Sequence, residues 1–239
     1  WPEAFRFNIP DDLPSGVYAA RLTSAQGVDH VPFFIRPPTG HPTSKIAFLA
    51  PTFSYLAYSN EQIATRPDVA DVLSASALEG AAVYPRTAGD AYVSKHRILS
   101  LYDKRVDGSG VCYVAKRRPH LSMRPDYYMP LLWQGGAPHQ LCADLHLIDW
   151  LAANDFDHDV LTDEDLHHEG ISLLEPYRLI VTGTHPEYWS EAMLDGLEAY
   201  LNGGGRLLYL GGNGFYWVTS LERKNGDYIE VRRGLGSGA

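Results

Sequence analysis

The stretch YRLIVTGTHPEYWS, residues 177–190, decides the fold because it joins a buried strand to the start of a helix. Its first seven residues form an apolar run of the length typical of a strand buried on both faces. Ser190 is a suitable N-cap for a helix. The apolar residues after it recur at helical spacing: Met193, Leu194, Leu197 and Leu201. His185 and Glu187 lie in the turn, where parallel α/β proteins usually bind their ligands.

Other parts of the chain repeat this alternation of strand and helix. The apolar run at 45–51 predicts a strand, and we expect further strands over 156–162 and 206–212, with helices over 142–155 and 164–174. Strands that alternate with helices of this length indicate an α/β domain with a doubly wound, mainly parallel sheet over residues 41–239. The region from 59 to 140 is rich in Gly, Pro, Tyr and Arg. It predicts long loops over the edge of the sheet.

The first forty residues have a different pattern. SGVYAARLT and VDHVPFFIR alternate between apolar and polar residues, and the polar turn SAQG joins them. This pattern predicts a β-hairpin, and an isolated hairpin needs further strands for stability. We therefore expect residues 1–40 to be the last strands of a β-sandwich that begins in preceding sequence. The chain also ends in a linker-like GLGSGA, so we expect it to be a piece of a longer polypeptide.

Composition narrows the function classes. Hydrophobic residues make up 45% and charged residues 21% of the 239 residues, as in an ordinary soluble domain. The net charge of −9 argues against nucleic-acid binding, which needs a basic face. Apolar runs of membrane-spanning length and a signal-peptide pattern are both missing from the sequence. The default expectation is a cytoplasmic protein with no membrane or nucleic-acid partner.

The sequence lacks the motifs of two common kinds of site: dinucleotide binding and a cysteine nucleophile. The residues after the first α/β strand, LAPTFSYLAYSN, contain no glycine, so a dinucleotide-binding turn is excluded there. Neither Cys112 nor Cys142 lies in the sharp G-x-C-x-G elbow of a nucleophile, and we expect both to be core residues. The segments DHDVLTDED and LHHEG hold histidines and carboxylates, but their spacing suits a strand edge and a solvated helix face. Metal-assisted catalysis becomes the stronger hypothesis.

Polar side chains follow the predicted strands at their carboxyl ends. Tyr55 and Tyr58 come after the first strand, His185 and Glu187 after the third, and Asn213 after the last, while Tyr102 lies in SLYDKRVDGSGV. A single tyrosine among fifteen is more often a packed ring than a ligand. For His185 together with Glu187, the sequence favours a role in a functional site and a purely structural role equally.

Five motifs in order carry a resemblance to a known family: PTFSYLAYSN, SLYDKRVDGSGVCY, RPHLSMRPDY, GTHPEYWS and GGNGFYW. From about residue 45 to 233 the chain resembles the large subunit of N,N-dimethylformamidase and its relatives. IPDDLPSGVYAARL also resembles the β-sandwich that precedes the catalytic part of that family. The resemblance implies a glutamine-amidotransferase-like α/β fold without that fold's cysteine nucleophile. It also implies one iron ion, bound by two tyrosines and a glutamate, and hydrolysis of a formamide C–N bond.

The residues that match the family's site follow from these motifs. Glu187 in HPEYW matches the glutamate, Tyr102 in SLYD the second tyrosine, and Tyr58 fits the first tyrosine better than Tyr55. His185 and Asn213 match polar residues that line the same pocket. Phenolate and carboxylate are hard oxygen donors that suit Fe(III).

The resemblance also implies roles for these residues. His185 would move a proton or orient water, and Asn213 would donate to the developing oxyanion. We expect a small amide as the substrate, a small accessory subunit, and a homo- or hetero-oligomer.

Three alternatives stay open. The chain could be a metal-free ligand- or carbohydrate-binding module, with the EYW and FYW turns as stacking walls. It could be a related amidase for a different small amide. It could also serve only to assemble with an accompanying small subunit.

Overall fold

The computed structural model describes residues 3, 5–25, 27–62, 87–129 and 137–233. Its first element is the predicted hairpin, formed by β1 (Gly16–Ser24) and β2 (Gly27–Ile35) in antiparallel register. The hairpin packs against the rest of the chain, where the rings of Phe34 and Tyr55 stack with centroids 6.2 Å apart. The prediction of a hairpin is confirmed. Its membership in a β-sandwich, and the domain boundary at residue 40, stay predictions.

The centre of the molecule is a four-stranded parallel sheet. Its strands are β3 (Ile46–Ala50), β7 (Asp159–Thr162), β8 (Leu179–Thr182) and β10 (Arg206–Leu208), in the order β10-β8-β3-β7. Each lies inside one of the four segments for which the sequence predicted a strand. The chain moves from β3 to β7 on one side, then crosses to β8 on the other side. The strand order therefore reverses at β3, and such a reversal creates a crevice at the carboxyl edge.

Both faces of β3, an inner strand of this sheet, are covered, which explains why β3 is apolar throughout. The edge strand β10 is more exposed, with Leu208 at 44%. Ala47 and Leu49 of β3 belong to one buried cluster, whereas Phe48 and Ala50 belong to another on the opposite face. Alternate residues of a strand point to opposite faces, so a strand buried on both sides needs a continuous apolar run. The doubly wound arrangement and the likeness to glutamine-amidotransferase-like domains stay predictions.

The helices follow their strands closely. They are α1 (Thr52–Tyr58), α2 (Ala88–Lys95), α3 (Leu141–Ala153), α4 (Asp163–Glu169), α5 (Ile171–Leu174) and α6 (Glu191–Asn202). Ser190 caps α6 as predicted, and its hydroxyl accepts a hydrogen bond from the amide of Met193 at 3.3 Å. The single helix predicted over 164–174 is wrong, because Gly170 with φ of 57° separates α4 from α5.

The buried stripe of α6 differs from the predicted one, since Leu194 is only half-buried and Gly196 is buried. Leu201 is 40% exposed, and Tyr200 is buried instead. The hydroxyl of Tyr200 donates to the carbonyl of Tyr177 at 3.2 Å and accepts from the amide of Arg206 at 3.2 Å. A tyrosine can take a core position when its hydroxyl finds such partners.

Short strands and turns join the larger elements. They are the strands β4 (Tyr113–Ala115), β5 (Tyr128–Met129), β6 (Ala137–Pro138), β9 (Tyr188–Trp189), β11 (Trp217–Val218), β12 (Ser220–Leu221) and β13 (Tyr228–Glu230), and the 3₁₀ turn Leu121–Met123. β13 pairs with both β12 and β4, and β9 pairs with β11. The loops predicted over 59–140 fall partly outside the described residues. No helix in the described ranges is long and apolar enough to cross a membrane.

The loop after β4 secures the end of α1. Arg118 donates through Nη2 to the carbonyls of Leu56 at 3.3 Å and Ser59 at 3.2 Å. His120 bonds through Nδ1 to the Ser59 hydroxyl at 2.7 Å and through Nε2 to the Lys116 carbonyl at 2.6 Å. The last carbonyls of a helix need such partners. This loop therefore fixes the position of Tyr58, the last residue of α1.

His120 makes stability depend on pH. Burial, which outweighs its bond to the Lys116 carbonyl, lowers the pKa of His120 to about 4. The unfolded chain binds a proton near the ordinary histidine pKa of about 6.5, so the stabilisation is complete above that pH and is lost as pH falls from 6.5 to 4. We expect a loss on the order of 3 kcal/mol in the free energy of unfolding. Urea denaturation at pH 7.5 and 4.5 measures it.

The control for this prediction is a histidine on the surface. His120→Gln should reduce the difference between the two pH values, whereas His146→Gln, on an exposed position of α3, should leave it unchanged. An equal pH dependence in wild type and His120→Gln would contradict the prediction.

Candidate metal centre

The candidate centre lies at the carboxyl edge of the sheet, where the end of a helix meets a turn. Tyr58 ends α1, which follows β3, and Glu187 lies in the turn after β8. Because β3 and β8 are neighbours where the strand order reverses, their following loops meet over the same crevice. Both side chains are buried, with Tyr58 7% and Glu187 3% exposed.

Three oxygen atoms converge at Glu187. The hydroxyls of Tyr58 and Tyr102 donate to the same carboxylate oxygen, Oε2, at 2.7 and 2.8 Å. The two tyrosine rings stack with their centroids 4.2 Å apart. The structure therefore brings together all three residues that the sequence singled out as metal ligands.

Tyr55 lies elsewhere. Its hydroxyl donates to Oδ2 of Asp144 at 2.5 Å, and its ring belongs to the core cluster on the other face of the sheet. Of the two neighbouring tyrosines, only Tyr58 contacts Glu187 in the described structure. The sequence left this choice open because both tyrosines lie three residues apart on a short helix.

Local contacts tie Tyr102 to the helix that carries Tyr58. The amide of Leu101 donates to the carbonyl of Ala57 at 3.0 Å. Asp103 closes the turn by accepting from the amide of Ser100 at 2.8 Å and from its hydroxyl at 2.9 Å. The SLYD motif is thus a hydrogen-bonded turn that presents the tyrosine beside α1.

The turn that carries Glu187 is fixed on two sides. The amide of Glu187 donates to the hydroxyl of Ser54 in α1 at 3.0 Å. The carbonyl of Glu187 accepts from the amides of Tyr216 at 3.1 Å and Trp217 at 3.0 Å, as β9 pairs with β11. Its backbone is therefore held between α1 and the loop after β10, which leaves little freedom for the carboxylate.

His185 joins the same group through one ring nitrogen. Its Nε2 lies 3.0 Å from the hydroxyl of Tyr58 and 3.1 Å from Oε2 of Glu187. The side chain is 15% exposed, against 4% for that of Glu187, so the imidazole is the more accessible of the two groups. This is a suitable place for a group that exchanges protons with a bound molecule.

The electrostatics of the centre depend on the carboxylate. Burial opposes ionisation of Glu187, but hydrogen bonds from His185, Tyr58 and Tyr102 together hold the pKa of the carboxyl below its usual value. Burial first, and then the charge of Glu187, raises the pKa of Tyr58. Burial, with neighbouring Tyr58 and Glu187, raises the pKa of Tyr102 too. Without a cation, the centre is one carboxylate surrounded by neutral phenols.

Asn213 is not part of this hydrogen-bonded group. It lies in the loop after β10 with φ of 52°, and its side chain is exposed. Across the described ranges, no hydrogen bond joins its amide to Tyr58, Tyr102, His185 or Glu187. Its proposed contact with an oxyanion stays a prediction.

The sequence did not identify three residues that border the centre. The ring of His139 lies 5.1 Å from those of both Tyr58 and His185, and burial and His185 lower the pKa of His139 to about 4. The hydroxyl of Tyr188 donates to that of Tyr102 at 2.8 Å, and Arg233 donates to Tyr188 at 3.2 Å. Tyr188 lies in the motif GTHPEYWS and could have been noticed there. No sequence pattern around His139 or Arg233 predicts that they lie near the centre.

The donor set fits a hard metal ion. Three side chains, those of Tyr58, Tyr102 and His185, lie within hydrogen-bond distance of Oε2 of Glu187. Oε1 has no hydrogen-bond partner among the described residues. Two phenol oxygens and a carboxylate are donors that suit a trivalent iron ion. In the described part of the chain, no three His, Cys, Asp or Glu side chains form a set that could hold a metal. A centre here therefore depends on the tyrosines.

The other histidine-rich and cysteine segments have structural partners. His167 bonds through Nδ1 to the hydroxyl of Ser190 at 2.7 Å, and the buried carboxylate of Asp163 accepts from the amide of Phe53 at 2.8 Å. Cys142 is buried, which confirms one of the two core cysteines, and Cys112 is half-buried. These residues link elements around the sheet.

A substitution of Gly211 tests how closely the loop after β10 packs against the turn after β8. A Cβ there would lie 2.5 Å from Cδ of Pro186 and 2.9 Å from the carbonyl oxygens of Gly183 and Thr184. Because these carbonyls are backbone atoms, Gly211→Ala should push the His185–Glu187 turn away from its position. We expect a loss of about 1–3 kcal/mol in the free energy of unfolding, measured by urea denaturation.

The adjacent glycine is the matched control. A Cβ on Gly212 would meet only Nδ1 of His185, at an ordinary contact distance of 3.8 Å. Gly212→Ala should therefore unfold close to wild type. Equal stability of the two variants would show that the loops are not packed as described.

Comparison with known proteins identifies the family of the chain. A family model described as "N,N-dimethylformamidase beta subunit-like, C-terminal" matches residues 1–236. Two relatives named N,N-dimethylformamidase beta subunit are similar over 99% of the chain: that of Paracoccus aminophilus is 42% identical and that of Alcaligenes sp is 39% identical. The chain spans 30% of the length of each relative. The chain belongs to the N,N-dimethylformamidase beta subunit-like family, within the C-terminal part that the family model describes.

Proposed function

We propose that this chain holds the catalytic centre of an iron-dependent amidase that hydrolyses the C–N bond of a small formamide, with N,N-dimethylformamide as the substrate. The observation that carries the proposal is the convergence of Tyr58, Tyr102 and Glu187 through oxygen atoms 2.7–2.8 Å apart. The names of the two relatives support the substrate.

Tyr58, Tyr102 and Glu187 would hold the iron. A bound iron ion supplies a Lewis acid that polarises the amide carbonyl, one of the established roles of catalytic metals. The three residues are fixed by separate elements: α1, the turn at 100–103, and the turn after β8. A centre built in this way needs little rearrangement when it binds its ion.

His185 is suited to move the proton of the reaction. Hydrolysis adds water to the carbonyl carbon, breaks the C–N bond and gives formate and dimethylamine. The attacking water must lose a proton, and the leaving amine must gain one. Nε2 of His185 lies at the edge of the buried group and can accept that proton and return it to the nitrogen.

The surrounding residues complete the proposal. The low pKa of His139 keeps its imidazole neutral near pH 7, so it can donate or accept one hydrogen bond to a bound amide. Asn213 would donate to the oxyanion that forms at the carbonyl. We further propose a small accessory subunit and an oligomeric assembly, since the relatives are named as beta subunits.

Tyrosine substitutions test the ligand set. Tyr58→Phe, Tyr102→Phe and Glu187→Gln should each abolish stoichiometric iron, because each removes one of three anionic donors. Tyr55→Phe is the matched control, since Tyr55 lies on the same helix, is also buried and also bonds to a carboxylate. Iron content is measured by mass spectrometry on full-length protein purified without chelator.

The possible outcomes separate the alternatives. Near one iron per wild-type chain, lost in Tyr58→Phe and kept in Tyr55→Phe, would support the centre. Two outcomes would contradict the centre: a wild-type protein that contains no iron but has full amidase activity, and a wild-type protein that contains no iron but binds sugar.

Replacing His185 should lower turnover and leave the metal content unchanged. His185→Ala keeps all three oxygen donors, so we expect iron near wild-type level and kcat lower by about 10²- to 10⁴-fold. Release of dimethylamine from N,N-dimethylformamide measures kcat. His168→Ala, at an exposed position of α4, should leave both quantities unchanged. Normal turnover in His185→Ala would rule out a proton-transfer role.

A further inference from the structure

We propose that Arg233 and Tyr188 form an orienting relay that fixes the Tyr102 phenol oxygen and reduces its electron-donor strength toward the metal. This inference rests on the proposed iron centre and adds two residues that do not touch the metal. The two are positioning residues, because they act on the centre only through Tyr102.

The relay is a continuous chain of hydrogen bonds. Nη2 of Arg233 lies 3.2 Å from the hydroxyl of Tyr188, which lies 2.8 Å from the hydroxyl of Tyr102. The hydroxyl of Tyr102 in turn lies 2.8 Å from Oε2 of Glu187. One end of the chain is a guanidinium cation and the other is a carboxylate.

The direction of the relay follows from its first member. A guanidinium can only donate, so the Tyr188 oxygen accepts from Arg233 and directs its own proton to Tyr102. Tyr102 accepts from Tyr188 and donates to Glu187. All dipoles therefore point the same way, and hydrogen bonds aligned in series strengthen one another.

Arg233 is fixed in place by more than this one bond. Its Nη1 donates to the carbonyl of Leu101, next to Tyr102, at 2.7 Å. Its guanidinium carbon lies 5.3 Å from the ring centre of Tyr102 and 4.9 Å from that of Trp217. The described residues include no carboxylate in ion-pair contact with it. Its charge is therefore directed at the aromatic groups of the centre.

The segment that carries Arg233 is itself anchored. The amide of Val231 donates to the carbonyl of Cys112 at 2.8 Å, which extends the pairing of β13 with β4. Arg233 follows two residues later. The strand pairing thus sets where the guanidinium lies, and a flexible surface arginine could not keep these contacts.

The relay matters most when Tyr102 acts as a ligand. A phenolate ligand has given up its own proton, but the donor from Tyr188 remains and withdraws electron density from the oxygen. The positive charge of Arg233 behind Tyr188 acts in the same sense. Tyr58 has different neighbours, since its hydroxyl lies beside Glu187 and His185 and makes no hydrogen bond to Tyr188 in the described structure. The two phenol ligands would therefore differ in donor strength.

The visible spectrum of the iron-loaded protein tests the relay. A more electron-rich phenolate transfers charge to iron at lower energy, so Tyr188→Phe and Arg233→Met should move the phenolate-to-iron band to longer wavelength. Arg233→Lys keeps the charge and loses the two-pronged geometry, so its shift should be smaller than that of Arg233→Met. Spectra are recorded on full-length protein saturated with ferric iron.

Arg232→Met is the matched control. Arg232 is the next residue in the chain, but it is exposed and pairs with Glu230 at 2.5 Å. Its band should coincide with wild type. A purely structural role for Arg233 would lower the melting temperature or the amount of bound iron without moving the band.

The outcomes distinguish the relay from the proposed function. An iron-loaded wild type whose band is unmoved in Tyr188→Phe and Arg233→Met would overturn the relay and leave the iron centre standing. A wild type that binds no iron and shows no such band would overturn both. A shift in both variants, absent in Arg232→Met, would support the relay.

Discussion

The carboxylate of Glu187 is the constraint on which the rest of the candidate centre depends. A buried charge is costly unless donors surround it, and removing one partner of such a group is strongly destabilising. Here the carboxylate is surrounded by Tyr58, Tyr102 and His185, which come from three segments of the chain. The hydroxyl of Ser54 accepts from the amide of Glu187 and so fixes its backbone. The segments that carry these groups must therefore meet, and the loops between strands are shaped by that requirement.

The sheet makes this meeting possible at low conformational cost. Because the strand order reverses at β3, the segments after β3 and β8 reach the same crevice without long excursions. The loop after β10 then pairs with the turn after β8 through β11 and β9.

The sequence predicts the sheet well and the centre in part. Apolar runs identify the inner strands β3 and β8, because strands buried on both faces need such runs, whereas the edge strand β10 is more exposed. The choice between Tyr55 and Tyr58 could not be made, since it depends on which side of α1 faces the crevice. His139 and Arg233 could not be found at all. Their roles arise from contacts across 45 to 132 residues of chain, and local patterns contain no information about such contacts.

The charges of the centre suggest why phenols were placed around a carboxylate. In the metal-free arrangement, burial and the charge of Glu187 raise the pKa values of Tyr58 and Tyr102, so the phenols stay neutral and act as donors that stabilise the carboxylate. In the proposed arrangement a trivalent cation would compensate two phenolates and one carboxylate, since a bound cation favours the anionic form of its ligands. The same three side chains can thus satisfy one another in both states. The charge of Arg233 opposes that of the cation. Its distance from Glu187, across two tyrosines, lets it orient Tyr102 while it stays outside the ligand set.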